Sequence, residues 1–465
     1  MMLRFISLLI CFLATLQGTL GAFPLNVAGI DTTRTAVWIY DLRWGVDVVK
    51  ANIDTSLVPA SVMKTVTAAS LLNLADVSER FNTPVVAEGR ISADSVLEGN
   101  VVVRTMGDPT IESRHFQGTR GFADSIAAGL KRLGIARVKG DVVVDQSNFQ
   151  DATTAHGVMA EDLLWPYGAR LFGANWRDNS FNLQLPSKVT VPYVPDLSFK
   201  VLSRRGRRVK VDRKDGTETF LISGNTRRGF SDNFAMPDPS KAMKAEIVKT
   251  LENAGIKVDG GLIEGAEAEA IIYSHNSPEF GDILRSLMHR SDNLMAEGML
   301  RSIVPGGSRA EAIAEEEAVW TLAGVSPHGV RIVDGSGLSR DNRLTARFLG
   351  EVNKHMLNNE FGRDYIDLFP RAGLEGTMKY FLSETPLEGR VAMKTGSMKG
   401  VQSYSGYLFD DEGRPSHVLV FIANGFTCSR AALKNSIQRL LLDTFCVSLQ
   451  NETEQPDRIS SEEDI

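Results

Sequence analysis

Residues 59–74 read Pro59-Ala60-Ser61-Val62-Met63-Lys64-Thr65-Val66-Thr67-Ala68-Ala69-Ser70-Leu71-Leu72-Asn73-Leu74: a proline, then an unbroken run rich in alanine, valine, leucine and methionine. Proline suits the first helical turn, whose N–H groups have no intrahelical acceptor, so the stretch predicts a helix opening close to Ser61. Three residues apart on a helix, Ser61 and Lys64 share a face, and the amine can reach the hydroxyl. A serine hydroxyl is a weak nucleophile until a base takes its proton. Lysine can do so only with a lowered pKa, which burial and a nearby cation such as Lys394 would both produce. A helix starting at Ser61 also leaves its backbone N–H outside the helical ladder, where it can stabilise an oxyanion; the N–H of Ser397 is the candidate second donor. Taken alone, Ser-x-x-Lys is weak, since a chain of this length should contain about one by chance.

The far end of the chain reads differently. Residues 390–397, 401–408 and 417–422 are rich in β-branched and aromatic residues, and Asp410-Asp411-Glu412-Gly413 predicts a hairpin turn between the last two runs. Residues 437–445 then read as a closing helix. Antiparallel strands flanked by helices imply an α+β core built from both chain ends.

Between the ends lies an insert of another character. Residues 122–144 read as a helix, Gly134-Ile135, and a strand over 142–145; residues 242–263 repeat a helix, Gly255-Ile256 and an apolar run. Both copies carry Val-x-Gly, at Val138-Lys139-Gly140 and Val258-Asp259-Gly260. Two copies do not make a solenoid, so two similar helix-strand units in one inserted domain are expected. Residues 182–224 are strand-like and turn-rich, with Lys200, Arg204, Arg205, Arg207, Arg208, Lys210, Arg213 and Lys214 crowded together. Such charge runs usually face water, and a small β module with solvated turns is favoured over an anionic-polymer site.

Two further motifs complete an ordered set. Ser291-Asp292-Asn293 lies between two helical patterns, where Ser291 could relay a proton to a leaving amine and the Asn293 amide could hold a substrate carbonyl. Ser231-Asp232-Asn233 has the same letters, but its Gly-, Pro- and Asp-rich surroundings favour a helix-capping role. Lys394-Thr395-Gly396 falls in a strand. Its ammonium and hydroxyl would bind a terminal carboxylate, and Gly396 would let substrate lie along the strand edge. Ser-x-x-Lys, Ser-x-Asn and Lys-Thr-Gly in this order form the signature of serine β-lactamases and penicillin-binding proteins.

Other chemistries score badly: there is no His-Glu-x-x-His pair, Gly-x-Ser-x-Gly elbow or Walker loop, and no metal or cofactor is implied. A net charge of -6 argues against a nucleic-acid partner. Residues 1–22 read as a secretory signal, with Arg4, an apolar stretch and small residues around Gly21 and Ala22, so a periplasmic or extracytoplasmic protein without a transmembrane anchor is expected. Cys428 and Cys446 could pair in an oxidising compartment or stand as separate thiols.

With these motifs the chain resembles the class C low-molecular-mass penicillin-binding proteins, the D-alanyl-D-alanine carboxypeptidase and endopeptidase family. Gly107-Asp108-Pro109-Thr110, residues 140–145, Asp334-Gly335-Ser336-Gly337-Leu338-Ser339-Arg340, residues 372–377 and Ser397 extend the likeness over nearly the whole chain. Ser61 and Ser291 are 230 positions apart, far more than a class A β-lactamase allows. The resemblance implies a penicillin-recognising, transpeptidase-like α+β domain with inserted smaller domains. The limits expected are a catalytic domain over 23–88 and 273–448, an insert over 89–181 and 226–272, a nested β module over 182–225, and an acidic tail over 449–465.

The implied activity is serine D-Ala-D-Ala carboxypeptidase or D-alanyl endopeptidase action on peptidoglycan peptides, with inhibition by β-lactams. Catalytic residues would be Ser61, Lys64, Ser291, Asn293 and Lys394; Thr395, Gly396, Ser397 and Arg340 would bind substrate. The loop 165–172 holds no acid that would bind the amino end of a diaminopimelate residue, and Lys399 stands where glutamine is frequent, so carboxypeptidase action is the firmer expectation. A β-lactamase and a catalytically idle wall-binding homologue are the alternatives.

Overall fold

The computed structural model describes residues 23–150, 154–203, 208–214, 216–265 and 269–446. The expected signal, the tail and the basic residues Arg204, Arg205 and Arg207 lie outside them. The chain first lays down β1 (Thr35–Asp41), β2 (Val46–Ala51) and helix α1 (Met63–Leu74). It then builds the insert from β3 (Asn82–Ile91), β4 (Val96–Arg104), α2 (Phe122–Arg132), β5 (Arg137–Val138), β6 (Val142–Asp145), β7 (Ser180–Leu185), β8 (Val189–Val191), β9 (Ser198–Ser203), β10 (Lys210–Arg213), β11 (Thr219–Ser223), β12 (Phe230–Ala235), α3 (Pro239–Asn253), β13 (Lys257–Val258) and β14 (Glu269–Asn276). The return supplies α4 (Phe280–Arg290), α5 (Asn293–Ser302), α6 (Arg309–Leu322), α7 (Ala346–Leu357) and α8 (Gly362–Asp367). Strands β15 (Val391–Met398), β16 (Val401–Phe409) and β17 (Pro415–Asn424) and helix α9 (Arg430–Phe445) complete it.

The two chain ends meet in one antiparallel sheet of order β15-β16-β17-β1-β2, with Ala36 opposite Ile422 and Trp38 opposite Val420. Side chains alternate along a strand, and here both faces are covered. Ala36, Trp38, Val420 and Ile422 pack against α1 and α4–α7, whereas Val37, Ile39, Leu419 and Phe421 pack against α9. Burial on both sides explains why these strands read as continuous apolar runs rather than alternating ones. Helix α1 runs through the first of these cores, buried from Met63 to Leu72. A helix buried on nearly every side has no solvent face, and the hydroxyls of Thr65, Thr67 and Ser70 donate to backbone carbonyls inside the core. Lys64 is therefore carried into the interior by its neighbours. The α+β architecture, an antiparallel sheet flanked by helices with an inserted region, is the one expected.

The insert has its own core and a sheet of order β13-β5-β4-β3-β14, with β6 beside β4. Its two helix-strand units sit together: Val258 pairs in parallel with Val138. Among the described residues no strand lies between β13 and β14, so the apolar run before residue 263 shows no counterpart of β6. The expected junctions at 88/89 and 272/273 fall inside β3 and β14, which pair with each other from Asn82 to Glu88, and both strands belong whole to the insert's sheet. The junction at 181/182 likewise falls inside β7, which pairs along its length with β12. The nested region forms two small sheets, β12-β7-β8 and β10-β11-β9, and Lys200, Arg208, Lys210 and Lys214 are exposed. Ser231-Asp232-Asn233 lies on β12, and the cap of α3 is Asp238, so the expected capping role is corrected. Cys428 and Cys446 are free and half-buried. Among the described residues no helix is long and apolar enough to cross a membrane.

Candidate active site

Ser61 stands on a single 3-10 turn, Ala60–Val62, that leads directly into α1. Ala60 holds φ +50, a left-handed conformation that costs a residue with a Cβ about 1 kcal/mol or more. Two glycines explain how the turn is held. A Cβ on Gly337 would lie 2.0 Å from the Ala60 carbonyl oxygen, and one on Gly396 would lie 2.8 Å from that of Pro59 and 2.9 Å from the Ser61 nitrogen. The loop 334–340 and strand β15 thus clamp the backbone around Ser61 from two sides. A Cβ at Gly396 would also meet Ser403 Oγ, so the close approach of β15 to this turn is a second constraint on the position, beside the substrate clearance expected of it.

The Lys64 side chain is fully buried, and its Nζ lies 3.0 Å from Ser61 Oγ, 2.6 Å from Asn293 Oδ1 and 2.5 Å from the Ser336 carbonyl oxygen. Asn293 and Ser336 offer only acceptors there, so a neutral amine can spend its two N–H bonds on them and turn its lone pair to the Ser61 hydroxyl. Burial pulls the Lys64 pKa down to about 8, against the opposing charges of Asp334, Asp292 and Glu297. Those anions are structural. Asp334 accepts from the N–H groups of Gly337 (2.7 Å) and Ser339 (2.6 Å) and from Asn342 Nδ2 (2.7 Å), which shapes the loop presenting Ser336. Glu297 accepts the Ser336 N–H at 3.0 Å.

Ser291 sits between α4 and α5 at φ +60, and Asp292 caps α5 by accepting the Met295 N–H. The reversal sends the two outer motif residues to different lysines. Ser291 Oγ accepts from Lys394 Nζ at 2.9 Å, while Asn293 reaches Lys64 and donates Nδ2 to the Tyr167 carbonyl at 2.7 Å. Lys394 is fully buried on edge strand β15 and also donates to the Thr395 carbonyl at 2.6 Å. Burial, helped by the Lys64 charge, holds its pKa well below the usual lysine range.

These groups open on a cleft of about 420 Å³ lined by Ser61, Ser291, Asn293, Arg340, Ser397 and Lys399. Each of the five expected catalytic residues belongs to this one cluster, and Thr395 and Gly396 follow Lys394 on the same strand. Four residues that sequence reasoning missed line it too: Glu161, Asp162, Tyr167 and Arg430. The two acids precede the loop in which no acid was found, and Tyr167 donates its hydroxyl to Asp162 at 2.8 Å. The signal for them, a Glu-Asp pair three residues before Trp165, carries no motif.

The model of the D-Ala-D-Ala carboxypeptidase 3 (S13) family matches residues 24–443. The chain is 26% identical to the D-alanyl-D-alanine carboxypeptidase DacB of Haemophilus influenzae, over 95% of this chain and 98% of that protein. It is also 26% identical to the D-alanyl-D-alanine carboxypeptidase of Actinomadura sp. strain R39, over 85% of this chain and 79% of that one. The crystal structure of penicillin binding protein 4 (dacB) from Haemophilus influenzae superposes with a TM-score of 0.79 at 23% identity, covering 91% of this chain and 98% of that one. The motif order, the buried lysine beside the serine and a family match spanning both chain ends agree: this chain belongs to the D-Ala-D-Ala carboxypeptidase 3 (S13) family.

Proposed function

We propose that the chain is a serine D-Ala-D-Ala carboxypeptidase and D-alanyl endopeptidase of peptidoglycan peptides, with Ser61 as nucleophile and Lys64 as its base. The observation that carries the reading is the fully buried Lys64 amine 3.0 Å from Ser61 Oγ, with its other contacts made to acceptors. In acylation the Ser61 oxygen attacks the carbonyl of the penultimate D-alanine while its proton passes to Lys64. The Ser61 and Ser397 N–H groups receive the developing oxyanion. Ser291, accepting from Lys394, keeps its own proton free to give to the leaving amine. The proton held by Lys64 then passes to Ser291, which restores both groups; water next attacks the ester on Ser61, giving a proton to Lys64, which returns it to the departing Ser61 oxygen and regenerates the enzyme.

The cleft's charges favour a substrate with both amino and carboxyl groups. Glu161 and Asp162 can meet an ammonium, and Arg340 and Lys399 a carboxylate, so the acid whose absence weakened the endopeptidase expectation is supplied from outside the loop where it was sought. The apolar N-terminal stretch and the family's cell-wall substrate both support export to the periplasm.

Fluorescent penicillin should label the protein covalently and for long periods. Ser61→Ala should abolish the label, and labelling that survives the substitution would overturn the assignment. Mass spectrometry of digested muropeptides should show loss of terminal D-alanine and opening of cross-links.

A further inference from the structure

Lys394 was expected to bind the terminal carboxylate of the substrate, yet its side chain is fully buried and two of its donors go to Ser291 and the Thr395 carbonyl. A cation at the cleft surface is better placed. Arg430, exposed, lines the same cleft as Ser61 and Ser397. Its Nη1 donates to Ser397 Oγ and its Nη2 donates to the Met398 carbonyl at 2.6 Å. From these contacts we propose that Arg430 is the specificity-determining residue for the C-terminal carboxylate of the scissile peptide, acting directly and by orienting Ser397.

A hydroxyl that accepts from a guanidinium has its own proton left to donate, so Arg430 turns Ser397 into a donor for an anion. The guanidinium has five N–H bonds, and the two contacts leave others for a ligand. Among the described residues no carboxylate lies within ion-pair distance of it, although Glu161 and Asp162 line the same cleft. Its backbone position is a costly one for a cation. Arg430 is the first residue of α9, where the helix's exposed N–H groups already carry partial positive charge, and an anion in front of it relieves that repulsion. The other two cleft cations form a separate group, Arg340 Nη1 donating to the Lys399 carbonyl at 3.4 Å. That leaves Arg430 as the cation bonded to Ser397.

The proposal rests on the hydrolase reading above, and two peptides test both. One ends in D-Ala-D-Ala with a free carboxylate; the other is its C-terminal amide. Wild type should prefer the acid. Arg430→Gln should lower kcat/KM for the acid about 10- to 100-fold, mainly through KM, as loss of one charge-assisted contact implies, and change the amide less than about twofold. Arg430→Lys should recover part of the acid preference. Equal losses on both peptides would show that the arginine only holds the end of β15 in place, and an unchanged acid rate would show that it recognises nothing; either overturns the proposal. A wild type that releases neither D-alanine from the acid nor D-alaninamide from the amide overturns the hydrolase reading, and the proposal with it.

Discussion

Residues 231–233 and 291–293 spell the same tripeptide, Ser-Asp-Asn, on two unlike backbones. On β12 the first copy pairs in register with Gln184, Leu183 and Asn182 of β7. Alternation along the strand puts Ser231 and Asn233 on one face, where Ser231 Oγ donates to Asn182 Oδ1 at 3.0 Å and Asn182 Nδ2 donates to Asn233 Oδ1 at 3.2 Å. The second copy breaks between two helices, with Ser291 at φ +60 and Asn293 opening α5. There the two side chains diverge to Lys394 and Lys64. A strand gives three letters one polar rung, whereas a helix junction gives them two separate basic partners. What distinguishes the copies chemically is the pair of buried lysines that only the second can reach.

The largest expected effect tests that difference directly. Ser291→Ala removes the hydroxyl between Lys394 and the leaving amine and should slow D-alanine release about 10²- to 10⁴-fold, the span of one positioned proton donor. Ser231→Ala should leave the rate within about twofold. Steady-state release of D-alanine by the two variants decides the matter: comparable losses would mean that the strand copy takes part in the chemistry.

A second, smaller contrast concerns the middle residue. Asp292 caps α5 through the Met295 N–H at 2.9 Å, whereas the Asp232 carboxylate accepts its neighbour's N–H at 2.8 Å on an exposed part of β12 and caps no helix. Asp292→Ala should cost about 1–2 kcal/mol, the usual loss of an N-cap, and Asp232→Ala under about 0.5 kcal/mol. Denaturant titration measures both, and equal values would show that the cap of α5 contributes nothing.

The contrast also marks where sequence stopped informing. Ser61, Lys64, Ser291, Asn293 and Lys394 could be named as candidates because each proposed role needs that residue type at that spacing, and the structure gathers them into one cluster. The Ser336 carbonyl on Lys64 was not, since a backbone oxygen has no letter of its own. At Gly396 the sequence does not show the further constraint from the backbone of Pro59 and Ser61, hundreds of positions away. Glu161 and Asp162 look like any acidic pair until the loop that carries them folds over the cleft. The α+β core was legible because strands buried on both faces give long apolar runs. The edges of the insert were not, because β3 and β14 continue as ordinary strands across the expected junctions and only their mutual pairing assigns them to one sheet.

The smallest expected effect is electrostatic. In the proposed mechanism acylation uses the neutral Lys64 amine, whose pKa lies at about 8, so the rate should rise with pH and level off above about 8. Below that value it should fall about tenfold per pH unit. Burial lowers this pKa, while Asp334, Asp292 and Glu297 hold it up; the Lys64 charge depresses Lys394, whereas Lys394 is not among the groups that shift Lys64, contrary to the expectation from sequence. Replacing Asp292 by asparagine keeps an oxygen that can cap α5 but removes one of the three anions. The Lys64 pKa then drops, and the acidic limb of penicillin acylation shifts to lower pH, with faster labelling than wild type near pH 7. Asp232→Asn, which faces neither lysine, should leave the limb where it is. Burial also raises the pKa of Asp292 itself, which makes the sign of the shift diagnostic. A downward move shows that Asp292 is charged while the base is working. An unmoved limb shows that Asp292 is already protonated there, in which case its difference from Asp232 is confined to the cap.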